Sequence, residues 1–172
     1  FQGLCDKYGL ERVLEAAEEL LNHGERMTRE GIAQIPDGVY QFVDYFDSEQ
    51  LDEILRLQVE ITVQGDEMHL DFAGNPLQVR AGLNMVWTAL LATVYYAVKT
   101  VIDPTILPNA GMYRPIKVSA PQGSILNCSP PAAMDMRTQT CQRVVDLIHG
   151  ALAPAVPDRI IAACNGANTS LH

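Results

Sequence analysis

The sequence predicts an α+β fold: an antiparallel hairpin sheet packed with a buried central helix and flanked by amphipathic helices. Three observations predict it. In residues 55–64, Leu55, Leu57, Val59, Ile61 and Val63 alternate strictly with Arg56, Gln58, Glu60, Thr62 and Gln64, the period-2 signature of a half-buried strand. Residues 84–102 are apolar nearly all round, through Trp87, Leu90, Leu91, Val94, Tyr95, Val98 and Ile102, as befits a helix covered on several sides. Hairpins and helices also segregate along the chain, which argues against a regular βαβ array.

The elements follow in order. Leu10, Val13, Leu14, Ala17, Leu20 and Leu21 recur at helical spacing, with Glu11, Glu15, Glu18 and Glu19 on the remaining faces as a solvated surface. Gly24 and Gly31 are expected to weaken the helix beyond that point, although Met27, Ile32 and Ile35 keep some register, and Pro36-Asp37-Gly38 ends it with turn chemistry. Residues 39–46 read as a strand with Tyr40, Phe42 and Phe46 on one face and Asp44 interrupting it. Gly65-Asp66 suits a two-residue type II′ or I′ turn, pairing Gln64 with Glu67, Val63 with Met68, Ile61 with Leu70, Glu60 with Asp71 and Val59 with Phe72. A slip of one residue would set apolar side chains opposite polar ones, so the pattern itself fixes the register.

The central helix is expected to begin at Asn84 and to stop at Asp103-Pro104. Prolines at 108, 115, 121, 130 and 131 mark an irregular region in which residues 116–119 form at most a short strand. Cys141, Val144, Val145, Ile148, Ala151 and Leu152 define a further helical stripe, with Thr138 or Thr140 as its cap and Pro154 near its end. Residues 159–164 read as a short buried strand. The whole divides into a helical lead-in, 1–35, and an α+β portion, 36–172.

Composition excludes several functions. Twelve basic against 21 acidic residues give a net charge of -9, with Lys and Arg scattered singly, so no concentrated positive surface exists for nucleic acid. The most apolar stretch, 85–98, is broken by Thr88 and Thr93 and falls short of the roughly 20 residues that span a bilayer. No membrane association is expected, and with no secretion signal at the start the default compartment is the cytoplasm. Cys5, Cys128, Cys141 and Cys164 lack zinc-site spacing and read as small packed thiols. No phosphate-binding Gly-Lys-Ser/Thr loop, G-x-S-x-G elbow or H-E-x-x-H motif occurs, so no cofactor is expected on these residues.

Candidate sites are few. The hairpin places Glu67, His69 and Asp71 on one face with Glu60 opposite Asp71; facing carboxylates repel unless a cation, a proton or solvent relieves them. Glu60, His69 and Asp71 are therefore the candidate metal or acid/base cluster, the alternative being a hydrated sheet face. Asp44 and Asp47 form a weaker cation candidate. His23 and His149 sit on predicted helices without a second ligand nearby. Asn109, Gly111 and Arg114 share a loop suited either to carboxylate or phosphate recognition or to a tight turn tied to an acidic residue. Arg137, with Thr138 and Thr140, suits an anion at a helix start or simple capping.

The order of motifs carries a resemblance. Tyr8-Gly9, P-D-G-V-Y (36–40), D-F-A-G-N (71–75), Gly82-Leu83-Asn84, N-A-G-M-Y-R-P-I (109–116), P-Q-G-S (121–124), P-P-A-A (130–133) and N-G-A-N (165–168) follow one another along nearly the whole chain. In that order they resemble the B-subunit family of ATP-dependent hydantoinases and 5-oxoprolinases, N-methylhydantoinase B-like, to which the acetone carboxylase alpha subunit is related. The resemblance implies an internal segment of a larger cytoplasmic subunit in a hetero-oligomer. It implies ATP on a separate actin-like A-type ATPase subunit or domain, and a divalent metal held by His and Asp in a region upstream of these residues. The activity implied is ring opening of a cyclic amide such as a hydantoin or 5-oxoproline, with ATP-dependent ketone carboxylation as the related chemistry. The third reading is a noncatalytic packing or subunit-interaction domain, whose exposed apolar surface meets the remainder of its own subunit or a partner subunit. Asp71, Asn84, Asn109, Arg114 and Arg137 are the motif residues carried over, with no catalytic role assigned.

Overall fold

A computed structural model describes residues 1–48 and 51–163. Helices α1 (Gln2–Tyr8) and α2 (Leu10–Ile32) lead into strands β1 (Gly38–Phe46), β2 (Leu55–Gln64) and β3 (Glu67–Asp71). Helix α3 (Trp87–Ile102), strand β4 (Ile116–Ser119), helix α4 (Arg137–Leu152) and a 3-10 turn (Pro157–Arg159) follow. The sheet order is β1-β2-β3-β4, antiparallel except for the parallel β3–β4 pair. The fold is α+β as the sequence indicates, and the sheet is mixed because 116–119 docks beside β3.

The hairpin register is the one that the alternation demands: Gln64 opposes Glu67, Val63 opposes Met68, Ile61 opposes Leu70 and Glu60 opposes Asp71. Gly65 has φ 60° and among the described residues no non-glycine residue has positive φ, so only the first central residue is left-handed, as a II′ turn requires. The expected Val59–Phe72 pair lies past the ladder's end at Glu60–Asp71; beyond it the Asn75 side chain, not the β3 backbone, takes the Gln58 N–H at 3.0 Å. Leu57, Val59, Ile61, Val63, Met68 and Leu70 are buried beneath α4 and α3, which contribute Leu147, Ile148, Val94 and Val98 to the same core.

Asp44 stays on the inner face of β1, across from Leu57, where the Arg143 guanidinium of α4 donates to it at 2.8 Å and contacts Asp146 at 3.1 Å. The residue that breaks the apolar pattern is thus the anchor of an ion network joining helix to sheet.

Several expectations are corrected. Helix α2 runs through Gly24 and Gly31, because these glycines are contact points: a Cβ on Gly31 would lie 2.8 Å from Ile102 Cβ, and one on Gly24 2.6 Å from the Asn109 side chain. The packing gained outweighs a glycine penalty of about 1 kcal/mol per residue. The amphipathic stripe of the first half of α2 is exposed, not buried: Leu10, Leu14 and Leu20 are 55%, 54% and 62% exposed. Helix α3 starts at Trp87, after Asn84. Tyr96 is 61% exposed, so α3 has one open face. Helix α4 begins at Arg137 with no side-chain cap on Met136, and Thr138 and Thr140 lie inside its first turns. Residues 160–163 form no strand, and Ile161 is 75% exposed; Cys164 lies outside the described residues.

Candidate functional site

The outward face of the sheet gathers the polar residues that the hairpin pattern projects. Asp71 Oδ1 accepts the Ser119 hydroxyl at 2.7 Å and the Ala73 N–H at 3.1 Å, and His69 Nε2 lies 3.1 Å from Ser119 Oγ. With the serine proton given to Asp71, the imidazole donates its Nε2 proton to Ser119. The chain runs His69→Ser119→Asp71, so the imidazole does not act as a base on the hydroxyl, as nucleophilic catalysis by serine requires. Glu60, opposite Asp71, accepts from Gln41 Nε2 at 2.6 Å. Glu67 is drawn away to Lys117 Nζ at 2.9 Å, and its pKa is lowered chiefly by that bond. A depression of about 270 Å³ beside this row is lined by Gln41, Arg56, Gln58, Glu60 and Asp71 among others.

Among the described residues no three His, Cys, Asp or Glu side chains converge as metal ligands. Asp71 and His69 are both engaged by Ser119, so this donor set does not fit the divalent metal that the family resemblance implies, and no chemistry is routed through one. Asp44, the other cation candidate, is committed to Arg143. Ser119 is the member of the face that sequence reasoning missed. Its signal was the in-out alternation of residues 116–119, which sends Ile116 and Val118 inward and Lys117 and Ser119 outward.

The D-F-A-G-N segment closes the hairpin's far end. Asn75 extends the ladder with its side chain: Oδ1 accepts the Gln58 N–H at 3.0 Å while Nδ2 donates to the Gln58 carbonyl at 2.8 Å. Asn84 is fully buried in the following loop, taking the Val79 N–H at 2.8 Å and donating to the carbonyls of Val79, Ala81 and Ala133 at 2.7, 3.1 and 2.9 Å.

The 109–116 loop docks on α2. Asn109 Oδ1 accepts the N–H groups of Gly111 and Met112 at 2.9 and 3.2 Å, and its Nδ2 donates to the Leu20 carbonyl at 3.2 Å. Arg114 reaches Asn22 at 2.9 Å, Glu25 at 3.0 Å and Glu18 at 3.2 Å. The observed arrangement is the tight turn tied to acidic residues. Bonds from Arg114 first, then Arg29, hold the Glu25 carboxyl below its usual range. Arg29 continues the chain of charges to Asp66 at 3.0 Å. Such exposed pairs contribute about 0–1 kcal/mol each; what they fix is the seat of the loop. Arg137 is exposed at the start of α4 and among the described residues reaches only the Met134 carbonyl, at 3.5 Å.

Gly111 sets the distance between loop and helix, because a Cβ there would overlap the Leu21 carbonyl. Gly111→Ala is expected to lower stability by about 1–3 kcal/mol through overpacking, read as an earlier urea midpoint with an unchanged slope. An unshifted midpoint would show that the loop lifts from α2 without cost.

His149, 8% exposed, lies 3.0 Å from Thr100 Oγ1 beside a cavity of about 320 Å³ between α3 and α4. Burial pushes its pKa down against the raising effects of the Ala97 carbonyl and Asp146. The unfolded chain, with a His pKa near 6.5, therefore binds this proton more readily than the fold. Stability is expected to fall as pH drops below about 6.5, levelling only below the folded pKa. His149→Gln should flatten that slope in urea titrations between about pH 7 and 5, and an identical slope would exclude His149 as its source.

Comparisons place these features in a family. A protein of Pseudomonas sp. (strain NS671), assigned by name as the B subunit of a D-/L-hydantoinase, is 36% identical over 92% of the chain, which spans 29% of that protein. The crystal structure of ATP-dependent caprolactamase from Pseudomonas jessenii superposes with a TM-score of 0.80 at 27% identity, over 91% of this chain and 28% of that one. The nucleotide-free structure of acetone carboxylase shares the fold, with a TM-score of 0.82 at 18% identity over 92% of this chain and 23% of that one. The chain therefore spans less than a third of each of these proteins. The family model described as Hydantoinase B/oxoprolinase matches residues 1–172 from end to end, and this chain belongs to the hydantoinase B/oxoprolinase family.

Proposed function

We propose that these residues are one segment of a larger B-type subunit of an ATP-dependent cyclic amide hydrolase, opening a ring of the hydantoin, 5-oxoproline or lactam class. The observation that carries the reading is the 27% identity and TM-score of 0.80 to an ATP-dependent caprolactamase over nine-tenths of the chain. An unstrained cyclic amide resists water because resonance stabilises its carbonyl; phosphoryl transfer from ATP to substrate supplies a better electrophile, and catalysis of that transfer is largely positioning and charge stabilisation. No ATP-binding motif lies in these 172 residues, so the nucleotide belongs on an A-type ATPase subunit or domain, and the pair acts in the cytoplasm where ATP is available.

Within the larger protein the segment supplies scaffold and site-lining surface rather than the reacting groups. Asn84, Asn109 and Arg114 hold loops in place, and the His69–Ser119–Asp71 row is the surface offered to the site. The test is an assay of the full B-type chain with its A-type partner. ADP release coupled one-to-one to ring opening of a hydantoin, 5-oxoproline or lactam supports the reading. ATP-dependent fixation of bicarbonate onto a ketone, without ring opening, would assign the ketone carboxylase chemistry instead.

A further inference from the structure

We propose that the first half of α2 is a docking seam for an α-helix from the part of the same subunit outside residues 1–172, one presenting apolar side chains and a Lys or Arg to this face. Leu10, Leu14, Ala17, Leu21, Gly24, Thr28 and Gly31 follow one another at alternating steps of four and three, the repeat of a helix that packs along another helix. The seam is used in its second half: Gly24, Thr28, Gly31 and Ile32 are buried, with Gly24 against Asn109 and Gly31 against Ile102. In its first half the same line is open from Leu10 to Ala17, with Leu10 55% and Leu14 54% exposed, over roughly 11 Å of helix at 1.5 Å per residue. One continuous face is thus half covered by its own chain.

Charge narrows the occupant. Along one flank, Glu18 and Glu25 receive Arg114. Glu11 and Glu15 continue that flank with no ion-pair partner among the described residues, so a cation one or two turns beyond Arg114 completes the pattern. A second copy of this helix fits poorly, since residues 6–19 carry Asp6, Glu11, Glu15, Glu18 and Glu19 against Lys7 and Arg12, and facing copies repel. The match covers only 29% of the Pseudomonas hydantoinase protein, which leaves ample chain to supply the helix. The inference holds for either reaction, so the activity assay does not decide it.

The test uses the full-length subunit with a photoreactive benzoylphenylalanine in place of Leu14, and a control at Glu19 on the far side of α2. The expected product is a cross-link from position 14, not from 19, within one polypeptide to a helical peptide outside 1–172 that contains Lys or Arg. Cross-linking to a second copy, to the ATPase subunit, or no cross-link above the control would overturn the proposal. As a second measurement, Leu14→Glu in the full-length subunit is expected to lower Tm while Glu19→Gln leaves it unchanged; equal Tm values for both would also overturn it.

Discussion

Arg143→Ala is expected to destabilise the fold by about 2–4 kcal/mol, somewhat below the cost of about 3–5 kcal/mol for removing one partner from a fully buried ion pair, because this network is part-buried. The guanidinium is 15% exposed and lies between Asp44 on β1 and Asp146 on α4, whose side chains are 25% and 8% exposed. Without it, two carboxylates remain where helix meets sheet, and Asp146 cannot return to bulk water without opening the interface. Against a typical total of about 5–15 kcal/mol, that loss brings the fold close to its limit. Urea unfolding of Arg143→Met beside the triple variant Arg143→Met, Asp44→Asn, Asp146→Asn isolates the cause. If stranded charge is the cost, the triple variant recovers most of the loss, because a neutral interface of similar volume is no less stable than an ion network. Equal losses in both would assign the effect to packing of the arginine stem.

That network shows where sequence reading stops. The alternation of residues 55–64 dictates the sheet register because a one-residue slip inverts every side chain, and the β2–β3 ladder follows it from Gln64–Glu67 to Glu60–Asp71. Asp44 is visible in the sequence as a flaw in an apolar face, yet its partner lies 99 residues away, and no local rule connects them. Gly24 and Gly31 lower helix propensity in any local account; only the position of Asn109 and Ile102 reveals them as close contacts. The open stripe of α2 is the reverse case, since its period announces burial that these residues do not provide.

The outward face was legible in part for the same reason. Period 2 puts Glu67, His69 and Asp71 together, but Ser119 joins them only because β4 pairs in parallel with β3, setting Ser119 across from Asp71. That serine turns a set of free ligands into a hydrogen-bonded row. Arg114 likewise suited an anion site from its loop chemistry, and the acidic flank of α2, 89 to 96 residues earlier, supplies the anions from within the chain.

Asn84→Ala is expected to cost about 3 kcal/mol or more, a large effect for an amide that a sequence pattern places at the mouth of a helix. The side chain is 0% exposed, and its removal leaves the Val79 N–H and the carbonyls of Val79, Ala81 and Ala133 without the partner they now share. A buried polar group left unsatisfied costs about 1–3 kcal/mol. The N–H bears most of that, because carbonyls tolerate a missing partner better. Asn84→Asp sharpens the test: its carboxylate still accepts from Val79 but faces three carbonyl oxygens with no proton to give, so it should be less stable than alanine at neutral pH. It should then regain stability as the pH falls and the group protonates. Urea midpoints for the two variants at pH 7 and pH 5 decide the matter. An aspartate variant as stable as wild type at pH 7 would mean that the 79–84 and 133 segments are held by their neighbours, chiefly the Thr140 hydroxyl on the Leu83 carbonyl at 2.6 Å, and that Asn84 merely fills the space between them.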